Sequence, residues 1–178
     1  MRNTEREAFL TIDKAEELTG VHYTLNHTGK MSGMQSLSTS CLCNKNCLNR
    51  VENENLVCSH CYAQRQMKMY KNLEKCLKKN TEILTTRLLT DEEIPLINAA
   101  FFRFESFGDL NNEIQVVNYF RICKRNKHVK FALWTKNPWI IAETINNGEN
   151  KPRNLQVIYS SPYLDKCDNK LNKYPFID

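Results

Sequence analysis

The sequence lacks long hydrophobic runs and contains little glycine or proline. No stretch approaches the roughly 18 apolar residues that a membrane-spanning helix requires, so we expect no membrane contact. The N-terminal residues MRNTEREAF include no apolar secretory region, which predicts a cytoplasmic protein. Five glycines and five prolines in 178 residues form no linker-like segment, which predicts one domain over residues 1–178. Hydrophobic residues make up 41% of the chain, which excludes general disorder.

Cysteine is abundant, and five of the eight cysteines lie between positions 41 and 61. Clustered cysteines in a chain without an export signal indicate metal binding rather than disulfides or free buried thiols. Their order is Cys41-x-Cys43-x₃-Cys47, then ten residues, then Cys58-x₂-Cys61. A zinc site closed by four ligands fits this spacing, and so does an iron–sulfur cluster held by three. We predict Cys47, Cys58 and Cys61 as essential ligands and Cys43 as a fourth.

The second half of the chain alternates β-rich and helical patterns. These patterns follow one another as strand, helix, strand, helix and strand over residues 100–107, 112–126, 129–135, 138–147 and 155–160. This order predicts parallel strands joined by right-handed helical crossovers. Even with one more strand near residues 34–38, the strands are too few to close an eight-stranded barrel. We therefore predict an α/β fold, either a partial β/α barrel or a small open parallel sheet. A cysteine-rich metal-binding module in residues 1–61 precedes it.

A long helix is predicted to begin at Tyr62, with an apolar stripe through Met67, Tyr70 and Leu77. Residues 62–89 contain seven Lys/Arg against two Asp/Glu. The basic stripe on this helix consists of Arg65, Lys68, Lys71, Lys75, Lys78 and Lys79. Such a stripe is either an ordinary solvated face or a surface that attracts the phosphates of a nucleic acid.

Polar side chains follow each predicted strand of the second half. Ligands of parallel α/β sheets gather beyond the carboxyl ends of the strands, because loops and helix N-termini converge there. Arg103 and Glu105 are two positions apart and share one face of their strand. We predict a catalytic site formed by Arg103, Glu105, Asp109 and Lys136. The alternative for the first two is a solvated pair on an uncovered sheet face.

Three segments resemble the phage gene product 88 domain family, whose members combine a Cys-Tyr-Ala element, a strand ending in Ser-Gly-Asp and an aromatic-x-Thr-Lys strand. Here they read Cys61-Tyr-Ala, Arg103-Phe-Glu-Ser-Phe-Gly-Asp109 and Leu133-Trp-Thr-Lys136. The order and spacing match over roughly residues 29 to 161. Phe107 is a departure, because it separates Ser106 from the Gly-Asp pair.

That family is in turn similar to the radical S-adenosylmethionine enzymes, which hold a four-iron four-sulfur cluster by three cysteines ahead of a β/α barrel. Their compact three-cysteine loop is not reproduced here, since its two spacings are separated by ten residues. The resemblance implies a 4Fe–4S cluster, S-adenosylmethionine at the open iron and Tyr62 in the cofactor site. It implies a radical enzyme with an unknown substrate beside Glu105, Asp109 and Lys136.

The competing interpretation is a non-catalytic phage protein of the host cytoplasm, stabilised by a metal such as zinc. Such a protein would bind nucleic acid through the basic stripe from Arg65 to Lys79, or would bind a host protein.

Overall fold

The computed structural model describes residues 10–25, 32–164, 171 and 173–178. Its centre is a four-stranded sheet in which every pairing is parallel and the strand order is β1-β2-β3-β4. The strands are β1 (Gln35–Leu37), β2 (Phe101–Phe104), β3 (Lys130–Thr135) and β4 (Leu155–Tyr159). The α/β prediction is confirmed as a small parallel sheet, and the described part of the chain forms no barrel.

The helices are α1 (Ile12–Thr19), α2 (Lys45–Val51), α3 (Tyr62–Met69), α4 (Lys71–Thr86), α5 (Glu113–Arg125) and α6 (Pro138–Asn146). Short 3₁₀ helices lie at Cys41–Cys43, Val57–His60 and Asp91–Glu93. Helices α5 and α6 are the crossovers that lead from β2 to β3 and from β3 to β4, as the alternating pattern predicts. None of the described helices is long and apolar enough to cross a bilayer.

The prediction of one continuous helix from Tyr62 is wrong, because the helix breaks at Tyr70. The backbone of Tyr70 is extended, with φ −109° and ψ 92°. Ten residues of straight helix would turn Leu77 about 80° away from Met67 around the helix axis. The break allows both side chains to enter one small core with Cys41 and Ala63.

The main core lies between the sheet and its helices. Alternate residues of β2 and β3 are buried, among them Phe102, Phe104 and Phe131. The ring of Phe104 stacks on Tyr119 of α5 at 4.1 Å between centroids and on Phe131 at 5.3 Å. This packing fixes α5 against β2 and thereby fixes the loop that follows β2.

Candidate functional site

A pocket of about 200 Å³ lies where the cysteine-rich segment meets the carboxyl ends of β2, β3 and β4. One wall contains Cys41, Cys47, Cys58 and Cys61. The facing wall contains Arg103, Glu105, Ser106, Gly108, Asp109, Trp134, Lys136 and Ser160. The predicted catalytic residues and three of the predicted metal ligands therefore line a single cavity, which we call the cysteine pocket.

Cys43, the fourth predicted ligand, is exposed and does not line the cysteine pocket, where Cys41 stands instead. Both residues belong to one 3₁₀ helix, and residues two positions apart in such a helix point about 120° apart around its axis. Cys41 consequently points inward and is 2% exposed. The two spacings Cys41-x₅-Cys47 and Cys43-x₃-Cys47 do not reveal which thiol faces inward, because that depends on the 3₁₀ turn.

Cys61 is the most acidic thiol of the pocket. It is the residue preceding α3, and hydrogen bonds from the Cys41 thiol and from the backbone N–H groups of Gln64 and Ala63 lower its pKa to about 6. Burial raises the pKa of Cys47 and of Cys58, and the nearby cations Arg50 and Lys136 partly offset that effect at Cys58. The wall therefore combines one readily ionised thiol with others that need a further positive charge to ionise.

Glu105 lines the cysteine pocket and is buried at the turn after β2. Its carboxylate accepts hydrogen bonds from the Thr39 backbone N–H at 3.2 Å, the Thr39 hydroxyl at 2.9 Å and the Gln115 amide at 2.6 Å. The Tyr119 hydroxyl also donates to it. Burial nevertheless raises the pKa of Glu105 to about 7.

The backbone of Glu105 is left-handed, with φ 59°, so the strand ends at Phe104. The prediction that Glu105 and Arg103 share one face of the strand is therefore wrong, because Glu105 lies beyond the end of the strand. Arg103 instead stacks over the Trp134 ring, with its guanidinium carbon 4.6 Å from the ring centroid.

Asp109 and Arg50 connect the two walls. The Asp109 carboxylate accepts hydrogen bonds from the Thr135 hydroxyl at 2.5 Å and from the Lys136 backbone N–H at 3.0 Å. Burial raises its pKa, and Arg50 opposes that rise from 3.7 Å. Arg50, which sequence reasoning missed, lies on α2 and also donates to the Lys136 carbonyl at 3.2 Å and to Asn137.

Tyr62, Lys136 and Ser106 also line the cysteine pocket. The Tyr62 hydroxyl donates to the Ser106 carbonyl, and 51% of the Tyr62 side chain is exposed. Lys136 donates through Nζ to the Ser160 hydroxyl at 2.9 Å. The Ser106 hydroxyl is buried and has no hydrogen-bond partner among the residues that the structure describes. A buried hydroxyl without a partner is unfavourable unless a ligand or water completes it.

The cysteines of the pocket do not form a ready-made site for a single metal ion. Within the described ranges, no three His, Cys, Asp or Glu side chains stand close enough together to hold one metal ion. Zinc needs its ligands to converge on one atom, whereas the thiolates of an iron–sulfur cluster bind different irons and surround a larger group.

The basic stripe lies outside the cysteine pocket and is interrupted by the break at Tyr70. All of its members are exposed. Glu74 forms ion pairs with Lys71 at 3.0 Å and with Lys78 at 2.8 Å, which neutralises part of the charge. The stripe therefore does not form one uniform cationic face.

Comparison with known proteins identifies a family but not an activity. No curated protein and no solved structure matches the chain. The family model described as gene product 88 matches residues 2–172, a range that includes the whole cysteine pocket. The chain therefore belongs to the gene product 88 family of phage proteins.

Proposed function

We propose that the cysteine pocket binds a 4Fe–4S cluster through Cys47, Cys58 and Cys61, with the fourth iron open toward the strand ends. The observation that carries this proposal is the convergence of two separate cysteine segments on one cavity that Glu105, Asp109 and Lys136 also line. The Cys41 thiol donates a hydrogen bond to the Cys61 sulfur, so in this proposal Cys41 is a hydrogen-bond donor to a ligand and is not itself a ligand. Such donors tune a cluster without binding it.

The charges around the pocket support this assignment. A cluster held by thiolates brings net negative charge into a partly buried site, which is unfavourable without nearby cations. Arg50 and Lys136 supply them, because both favour the ionised form of Cys58. Zinc remains the competing metal, and it would require the thiols to move together to a common point.

When bound, a cluster of this kind supplies single electrons and one iron at which a small molecule coordinates. We propose that the molecule is S-adenosylmethionine and that the chain is an enzyme similar to the radical S-adenosylmethionine proteins. The chain's own residues would orient the bound molecules. Lys136 and Ser106 line the cavity as polar residues that would anchor them, and Trp134 lines it as an apolar one.

Iron and sulfide content after anaerobic purification tests the cluster. We expect brown protein with both elements, and colourless protein after Cys47→Ser, Cys58→Ser or Cys61→Ser. The matched control is Cys76→Ser, since Cys76 lies on α4 outside the pocket. Stoichiometric zinc in anaerobic wild-type protein, with no iron, would exclude the cluster.

The number of ligands is tested separately with Cys41→Ser and Cys43→Ser. Three ligands predict that both variants keep their iron and that S-adenosylmethionine changes the electron paramagnetic resonance spectrum of the reduced wild-type cluster. Complete loss of iron from either variant, together with an unresponsive spectrum, indicates a closed four-thiolate cluster. That result would support the proposal of an iron–sulfur cluster but would exclude chemistry at an open iron.

A further inference from the structure

A second pocket, of about 550 Å³, lies at the end of the sheet where the strands begin, opposite the end that carries the cysteine pocket. Its lining includes Phe101 at the start of β2, Lys127 and Lys130 around the start of β3, and Arg153 and Asn154 before β4. We call it the amino-edge pocket. It shares no lining residue with the cysteine pocket.

An exposed aromatic ring forms part of this pocket. Phe101 is 53% exposed although it belongs to a central strand. Its register partner on β3 is Lys130, whose ammonium group lies 5.9 Å from the ring centroid. A phenylalanine with half of its surface in water contributes little to the core, and the exposed part of its ring can stack against a planar group.

The rim of the amino-edge pocket is cationic. Lys127, Lys130 and Arg153 are exposed, and none of them forms an ion pair with any described acidic side chain. The acid that lines the pocket, Asp178, pairs with Lys151 at 2.8 Å. This differs from the basic stripe, where one glutamate neutralises two of the lysines.

We propose that the amino-edge pocket binds single-stranded nucleic acid. One base stacks on Phe101, and the phosphates on either side of it contact Lys127, Lys130 and Arg153. Proteins that bind single strands combine these two elements, since any base offers a flat face and the backbone carries regular negative charge. A double strand keeps its bases stacked on one another and offers none to Phe101. The volume of the pocket suits a nucleotide-sized group.

Fluorescence anisotropy of the full chain with a labelled thymidine oligonucleotide tests the proposal. We expect binding whose affinity falls with salt at a logarithmic slope of about −2, because three phosphate contacts contribute roughly 0.7 each on a single strand. The double variant Lys130→Glu/Arg153→Glu is expected to reduce that slope to about −0.7. Phe101→Leu is expected to weaken binding roughly tenfold, whereas Phe101→Tyr retains stacking and affinity.

The matched control reverses two exposed charges of the basic stripe, Lys71→Glu and Lys75→Glu, and is expected to retain most of the affinity. Circular dichroism melting of each variant checks that it is folded, and substitution of exposed residues leaves the core intact. The proposal is overturned if the stripe variant loses binding while the Phe101 and Lys130/Arg153 variants keep it. Equal affinity for a duplex or a mononucleotide, or no binding at low salt, would overturn it as well.

Discussion

Glu105 and Gly108 depend on each other at the turn after β2. Glu105 is the one non-glycine residue with positive φ in the described ranges, a conformation that a side chain adopts only when its surroundings hold it. Hydrogen bonds from Thr39, Gln115 and Tyr119 to the Glu105 carboxylate stabilise this conformation. Gly108 leaves the space for it, since a Cβ there would lie 2.5 Å from the Glu105 carboxylate and 2.6 Å from the Thr39 carbonyl oxygen.

Gly108→Ala is therefore expected to lower the free energy of unfolding by about 2 to 3 kcal/mol, because backbone and a tightly bound carboxylate must both move. Gly148→Ala is the matched control: φ is +102° but no atom lies within 4 Å of the added Cβ, so only backbone strain of about 1 to 2 kcal/mol is expected. Urea unfolding of the two variants measures the difference. A smaller loss at Gly108 than at Gly148 would contradict the steric role.

At the scale of elements, α2 is connected to the sheet by Arg50. This helix has no buried residue of its own, so apolar packing alone does not position it. Arg50 reaches from α2 to Asp109 after β2 and to the Lys136 carbonyl after β3, and its guanidinium lies 5.8 Å from the Trp139 ring. Cys47 lies one turn earlier on α2 and is positioned with it.

Arg50→Lys is expected to reduce stability by about 1 to 3 kcal/mol although the charge is kept, because an ammonium group cannot reproduce the planar set of donors. Arg65→Lys, on the exposed face of α3, is expected to change stability by less than about 0.5 kcal/mol. Denaturant titration of both variants checks this prediction. Equal stability of the two would mean that α2 does not rely on Arg50.

Elements with a complete periodic pattern could be predicted from the sequence. Helix α5 has buried residues at its helical spacing and begins after Asn112, whose side chain accepts the Gln115 N–H at 3.1 Å. The break at Tyr70 could not be predicted in this way, because no glycine or proline marks it and it results from packing Met67 and Leu77 into one core.

The candidate site was predictable only in part, because some of its contacts join residues that are far apart in the sequence. The rule for parallel sheets placed Asp109 and Lys136 at the strand ends, where the structure has them. Arg50 contacts residues 59 to 87 positions later in the chain, and no local pattern records such a contact. The inward orientation of Cys41 likewise depends on a 3₁₀ helix of three residues, which is too short to leave a periodic pattern in the sequence.

At the scale of the whole molecule, the described residues contain two hydrophobic cores of unequal size. The larger unites the sheet with α1, α4, α5 and α6, and the smaller consists of Cys41, Ala63, Met67 and Leu77 with a few partly buried neighbours. Stability is unevenly distributed in such a molecule, because a region with little buried apolar surface opens without global unfolding.

Amide hydrogen exchange is expected to show this difference. Amides of α2 and of the 3₁₀ helix Val57–His60, neither of which has a buried residue, should exchange faster than those of β3, which should approach the protection set by global unfolding. Binding of metal by the cysteines should slow exchange in the first two segments and leave β3 nearly unchanged. Uniform protection in metal-free protein would contradict the prediction.

The order of the two walls along the chain has a consequence for biosynthesis. The cysteine wall of the pocket ends at Cys61, whereas the facing wall begins at Arg103 and ends at Ser160. A ribosome adds about 5 to 20 residues per second, so the thiols emerge seconds before the strands that cover them. During that interval the thiols are open to oxidants and to dissolved metal ions, because the second wall of the pocket has not yet formed.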